Sequence, residues 1–177
     1  IALLVGLVVL GFAGAGHAAP GYFRYPAIHS DTIVFTAEGD LWSVATGGGE
    51  ARRLTTHAAE ESRAAISPDG RRIAFSATYH GPLEVYVMPL AGGEPRRVTF
   101  ENTRATAIGW SAQGEILYGT SAASGPVSMR IVAAVHPDTG ARRVLPLADA
   151  NEAVLSPDGK TVWFIRFGLG VTGDNAR

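Results

Sequence analysis

Between residues 22 and 165 the hydrophobic positions fall in short runs, such as Ile33-Val34-Phe35, Ile73-Ala74-Phe75, Ile116-Leu117-Tyr118 and Val162-Trp163-Phe164-Ile165. Breaks carrying Gly, Pro, Asp or Ser divide them. The runs are β-branched and aromatic, as strands buried between neighbouring sheets should be, and the pattern predicts short strands throughout. The breaks repeat as well. Ser67-Pro68-Asp69-Gly70 returns as a degenerate Ser111-Ala112-Gln113-Gly114 and again as Ser156-Pro157-Asp158-Gly159, at spacings of 44 and 45 residues. A closing phrase keeps step with it: Arg52-Arg53-Leu54, Arg96-Arg97-Val98 and Arg142-Arg143-Val144, spaced by 44 and 46. Several short strands repeated at a period of about 40–50 residues mark the blades of a β-propeller.

The fold class predicted is therefore all-β, a partial propeller of four-stranded antiparallel blades. Blade boundaries are expected at about 22–56, 61–100, 105–146 and from 151 onward. In blade one the strands centre on Tyr25–Ile28, Ile33–Thr36, Leu41–Val44 and Arg52–Thr55. Blade two repeats them as Ala64–Ile66, Arg72–Ala77, Glu84–Met88 and Arg96–Thr99. Blade three offers Ala107–Trp110, Glu115–Tyr118, roughly Met129 to Val135, and Arg142–Leu145, and blade four supplies Ala153–Leu155 and Thr161–Ile165. Glu38-Gly39 reads as a tight hairpin, and Gly48-Gly49 and Gly92-Gly93 close the hairpin before each outermost strand. In the Ser-Pro-Asp-Gly turn, Ser bonds back to the backbone, Pro presets φ, and Gly accepts the positive φ needed to re-enter a strand. A blade buries too little alone, so blades stack into a ring. Three blades and part of a fourth do not close one. The expectation is a fragment that continues past Arg177, with Ile33, Phe35, Val162 and Phe164 on its uncovered faces.

Composition narrows the function. The chain has 177 residues, a net charge of −1, 18% charged residues and no cysteine. No basic excess points to nucleic acid, and disulfides, thiolate metal sites and a cysteine nucleophile are excluded. At the start, Leu3 to Phe12 is an uncharged apolar run too short to span a bilayer. Small residues ending Gly16-His17-Ala18 follow it, so residues 1–18 are expected to be a secretory signal peptide with its own start missing, cleaved after Ala18. That predicts a periplasmic or secreted protein, with no stable membrane anchor after cleavage; if the segment is not a signal, the location is cytoplasmic.

Candidate chemistry is sparse. His17, His29, His57, His80 and His136 are scattered without metal-ligand spacing. Ser121 follows Gly119 but has Ala123 two residues on, so there is no Gly-x-Ser-x-Gly elbow. Glu60-Glu61 beside Arg63 reads as a solvated loop with an ion pair. The Arg-Arg phrases read as charges guarding an edge strand, and Trp42, Trp110 and Trp163 as packing between blades. No catalytic, cofactor-binding or metal-ligating residue is assigned, and no cofactor is expected.

The stretch from Gly21-Tyr22-Phe23-Arg24-Tyr25-Pro26 through Asp40-Leu41-Trp42 to Ala51-Arg52-Arg53-Leu54-Thr55 resembles the amino-terminal propeller of the tricorn protease family. So do Ser62-Arg63, Ile73-Ala74-Phe75-Ser76, Glu84-Val85-Tyr86-Val87-Met88-Pro89 and Gly92-Gly93-Glu94-Pro95-Arg96-Arg97. The resemblance implies a first, six-bladed propeller, followed in the parent protein by a seven-bladed one and a PDZ domain between lobes that hold a serine peptidase site. It further implies oligopeptide substrates, propellers that filter access or exit, and a homo-oligomer. The catalytic lobes lie outside these residues. The signal segment departs from the family's familiar cytosolic members. Two other readings are a non-enzymatic periplasmic propeller like the translocation protein of the Tol system, which binds protein partners, and the propeller of a prolyl-oligopeptidase-like enzyme.

Overall fold

The computed structural model describes residues 22–121, 130–147 and 149–166. The expected signal segment, Met129 and the residues after Arg166 lie outside them. Among the described residues every helix or strand element is a strand. The first sheet contains β1 (Arg24–His29), β2 (Thr32–Ala37), β3 (Asp40–Ala45) and β4 (Arg52–Arg53). The second contains β5 (Glu61–Ile66), β6 (Arg72–Ala77), β7 (Glu84–Pro89) and β8 (Arg96–Arg97). The third contains β9 (Ala105–Trp110), β10 (Ile116–Thr120), β11 (Ile131–Val135) and β12 (Arg142–Val144), and β13 (Ala150–Leu155) pairs with β14 (Val162–Arg166). Within each sheet the strands lie in sequence order and every pair is antiparallel. The first strands β1, β5, β9 and β13 pack against one another and form the inner ends of the blades. This is a partial β-propeller.

The turns show why the repeat has its spelling. In blade two Ser67 Oγ accepts from the Arg72 amide at 2.9 Å and donates to Asp69 at 2.6 Å, while Gly70 sits at φ 69°. Ser156, Asp158 and Gly159 repeat the arrangement, with Gly159 at φ 71°. The serine hydroxyl holds each aspartate, Asp69 and Asp158, below the usual carboxylate range. In the degenerate turn Gln113 replaces the aspartate; Ser111 Oγ still accepts from the Glu115 amide, at 3.1 Å. Glu38 and Gly39 both have positive φ, 54° and 88°, as a two-residue hairpin with right-twisted strands requires.

Alternation along the strands sends opposite faces into opposite seams. Val34, Ile73, Phe75, Tyr86 and Met88 form the core between blades one and two. Ala74, Val85, Val87, Ala107, Ile116 and Tyr118 fill the next seam, and Leu117, Val132, Ala134, Ala153 and Val162 the third. This corrects two of the expected uncovered positions. Phe35 is buried, with Phe23 lying edge-on to it at 5.1 Å. Val162 faces blade three, so the outward face of blade four carries Val154, Trp163 and Ile165 instead, and on that uncovered face Trp163 is 60% exposed.

The Arg-Arg phrases lie on the exposed outermost strands, as an edge guard would, and they also make specific bonds. In blade two Arg97 pairs at 2.7 Å with Glu84, a fully buried carboxylate that also accepts from Thr99 Oγ1 at 2.5 Å and from the Asn102 amide at 3.1 Å. Thr99 in turn accepts from the Val85 amide. Arg96 donates to Pro137 O in the next blade, as Arg52 donates to Ala91 O. Short outer strands thus leave guanidiniums free to reach carbonyls and acids, so these edge side chains also join neighbouring elements. In blade one Asp40 takes the place of Glu84 and pairs with Arg53. Being one methylene shorter, Asp40 does not engage the threonine. Thr55 donates instead to Glu61 at 2.7 Å, and Asp40 Oδ1 has no hydrogen-bond partner among the described residues.

Candidate functional site at the inner strands

All four inner strands break register: between Arg24 and Ala27 in β1, Ser62 and Ala65 in β5, opposite Leu117 and Tyr118 in β9, and at the start of β13 between Ala150 and Glu152. A bulge of this kind re-aims the side chains it carries. Tyr25 and Arg63, at φ 51° and 53°, occupy the left-handed region that non-glycine residues seldom adopt.

Beside these bulges Arg63, Arg104, Thr106, Thr120, Arg130 and Asn151 surround a small cavity of about 70 Å³ between the inner ends of blades two, three and four. Gly119 belongs to the same wall. A Cβ there would lie 3.4 Å from the Asn151 carbonyl, so a small residue lets the backbones of blades three and four approach. Arg130 donates to Asn151 Oδ1. Arg63 contacts Glu152 at 3.1 Å, and its guanidinium stands 5.0 Å from the Tyr25 ring centroid. Three guanidiniums thus line one partly enclosed space, and Glu152 is the carboxylate that meets Arg63 among the described residues. A cavity of this size admits several waters or a carboxylate group. Guanidinium donors in a planar fork suit a carboxylate.

Sequence alone marks none of these arginines as a site, since each belongs to a different blade or connection. The residues weighed for chemistry lie elsewhere. His29 stands against Gly70 in the inner turn. His57 accepts from the Ala59 amide and lies tilted against Tyr79, ring centroids 4.1 Å apart. His80 Nδ1 is 3.1 Å from Tyr86 Oη, and His136 accepts from the amides of Asp138 and Thr139. Among the described residues no three His, Cys, Asp or Glu come together in a way that holds a metal.

Glu60 and Glu61 part company instead of sharing a solvated loop. Glu60 pairs with Arg24 at 2.7 Å. Glu61 begins β5, fully buried, accepting from Thr55 and from Tyr79 Oη at 2.6 Å. Burial pushes its carboxyl above the usual range, partly offset by those two bonds. Trp42 donates to Ala37 O within its blade, and Trp110 donates across the seam to Ala65 O at 2.9 Å.

The model of the tricorn protease N-terminal β-propeller domain matches residues 20–173. Tricorn protease homolog 1 of Streptomyces coelicolor is 32% identical over 79% of this chain and 13% of its own length. The tricorn protease of Thermoplasma acidophilum is 27% identical over 83% of this chain and 15% of its own. Among solved structures, the tricorn protease superposes with a TM-score of 0.68 at 25% identity, covering 80% of this chain and 15% of that one. A putative TolB from Agrobacterium tumefaciens gives 0.71 at 24% identity, over 82% and 54%, a likeness of fold alone. The chain thus spans only about an eighth to a seventh of the length of these two tricorn relatives.

Proposed function

The chain belongs to the tricorn protease N-terminal β-propeller family, and from that premise we propose that it is the first propeller of an exported serine-type peptidase acting on oligopeptides. In this reading the propeller filters what passes along its inner strands and helps to scaffold a homo-oligomer, while the catalytic groups lie in other parts of the protein. The observation that carries the filter role is the convergence of Arg63, Arg104 and Arg130 on one small cavity at the inner ends of the blades. A positively charged passage concentrates anionic ligands and repels cationic ones. The carboxylate end of a short peptide is such a ligand, and export follows from the apolar run and small-residue end of residues 1–18.

The test uses the full-length protein. Labelling by a fluorophosphonate probe together with hydrolysis of fluorogenic oligopeptides is the expected result for a serine peptidase; absence of both overturns that part. Substituting Arg104→Glu should raise KM for peptides with a free carboxylate while leaving probe labelling unchanged. An unaltered KM removes the filter role. Sequencing the mature amino terminus checks export, with cleavage after Ala18 expected.

A further inference from the structure

Asp-Gly occurs at Asp69-Gly70 and Asp158-Gly159, each time as the second half of Ser-Pro-Asp-Gly. Aspartate before glycine is especially prone to spontaneous isomerisation, because glycine has no side chain to hinder attack by its own amide nitrogen. Ring closure joins the glycine nitrogen to the aspartate Cγ, and the carboxyl OH leaves with the amide proton as water. Water then opens the imide at either carbonyl. One opening returns aspartate; the other leaves isoaspartate, whose backbone runs through the side chain and is one methylene longer. Closure needs a free amide and a protonated carboxyl, since an ionised carboxylate is a poor electrophile.

The turn withholds both. Ser67 Oγ donates to Asp69 Oδ1 at 2.6 Å, and the Arg71 amide donates to the same oxygen at 3.1 Å. Both bonds favour the ionised carboxylate, the serine hydroxyl's above all. The Gly70 amide is occupied too, donating to Ser67 O at 2.9 Å. Blade four repeats every part. Ser156 Oγ donates to Asp158 Oδ1 at 2.5 Å, the Lys160 amide donates to that oxygen at 3.1 Å, and the Gly159 amide donates to Ser156 O at 2.9 Å. The serines are buried while both aspartates are exposed, so the fold does not shelter the carboxyls by covering them. We infer that Asp69 and Asp158 are latent isomerisation sites, and that the hydroxyls of Ser67 and Ser156 hold them closed. Blade three has Gln113 before Gly114 and so no site of this kind. The consequence of opening one is local and definite. Isoaspartate at position 69 lengthens the link between β5 and β6 just where Ile66 pairs with Ile73, a side chain fully buried in the seam between blades one and two.

The test is to hold the purified full-length protein at neutral pH for several weeks, digest it with trypsin and measure isoaspartate by mass spectrometry with electron-transfer fragmentation. Trypsin releases Asp69 in the peptide 64–71 and Asp158 in the peptide 144–160, so each turn is an internal control for the other. Ser67→Ala should raise isoaspartate at Asp69 about 5–10-fold, less than loss of a buried charged hydrogen bond would give, and leave Asp158 unchanged. Pro68→Ala frees the preset φ of the turn but keeps the hydroxyl, and should raise it about 2-fold at most. No change at Asp69 in Ser67→Ala overturns the inference. An equal rise with Pro68→Ala overturns it too, because loosening of the turn then accounts for the reaction. So does a matching rise at Asp158 in Ser67→Ala, which marks general unfolding as the cause. Ser156→Ala, followed at Asp158 with Asp69 as its control, makes the same test in blade four and decides it if Ser67→Ala does not fold.

Discussion

Blades two and three carry the same closing phrase, Arg-Arg-Val, and use it differently. The amide of Val98 bonds Val85 O, and the corresponding bond in blade three joins Leu145 to Val132 O, where blade one joins Leu54 to Leu41 O. Aligned on these bonds, Arg97 of blade two matches Val144, Thr99 matches Pro146, and the buried Glu84 matches Ile131. The phrase has slipped one residue earlier in blade three, so it recurs after 46 residues where the equivalent positions Val98 and Leu145 are 47 apart. After the slip, the acid–arginine–threonine cluster of blade two has no counterpart. Arg143 pairs with Glu115 at 2.6 Å at a wetter site, and Arg142 joins Glu101 and Tyr118 Oη instead. Identical letters give different energetics because the register, not the motif, decides which face each arginine takes.

That contrast can be broken by mutation. Arg97→Met leaves Glu84 buried without its cation, and breaking a buried pair from one side costs about 3–5 kcal/mol. Arg143→Met removes a largely solvated partner and should cost no more than about 1 kcal/mol. Urea unfolding of the two variants measures both, and equal losses would show that the slip has no energetic meaning.

A second pair sharpens the comparison at the turns. Both glycines have positive φ, so Gly114→Ala should cost about 1 kcal/mol from backbone strain alone. Gly70→Ala should cost visibly more, since its new Cβ would lie 2.9 Å from the His29 ring while nothing stands within 4 Å at Gly114. Thermal melting of the two variants ranks them.

A smaller effect separates the acids by pH. Glu61 is held above the usual carboxylate range, chiefly by burial, so its protonated form is favoured in the folded state. Its contribution is complete below the unfolded-state value and is lost as pH rises through the raised folded one. Glu115 is held low, chiefly by the bond from Arg143, so its contribution is present above the ordinary carboxylate value and is lost as pH falls through the lowered one. Glu61→Gln should therefore flatten the decline in stability on the rising side, and Glu115→Gln the decline on the acid side. Denaturation midpoints followed from pH 3 to 8 check both signs.

Much of this was legible in the sequence for a local reason. The Ser-Pro-Asp-Gly turn closes its hydrogen bonds within five residues, Ser67 to Arg72, so its spelling and its geometry are nearly the same statement. Strand existence followed from the same short-range chemistry, although β5 begins at Glu61, three residues before the expected Ala64, and β8 stops at Arg97. The inner-strand cavity was not legible. Arg63 and Glu152 meet only after two blades have been laid side by side, and no spacing rule relates positions 89 residues apart. Glu61 was misread for a similar reason: its partner Tyr79 lies beyond the next strand, and a Glu-Glu pair without that information reads as solvent-exposed.

The bond from the Trp110 indole to Ala65 O gives the seam between blades two and three an optical label. Arg72 stands 5.4 Å from the same ring, so the chromophore sits between a fixed acceptor and a nearby cation, whereas Trp163 faces outward. Indole emission shifts to the red as its surroundings become polar and mobile. Parting of blades two and three would move the Trp110 component toward that of Trp163, whose spectrum already reflects water, and in a protein bearing Trp42→Phe the two signals would separate seam opening from general loss of structure.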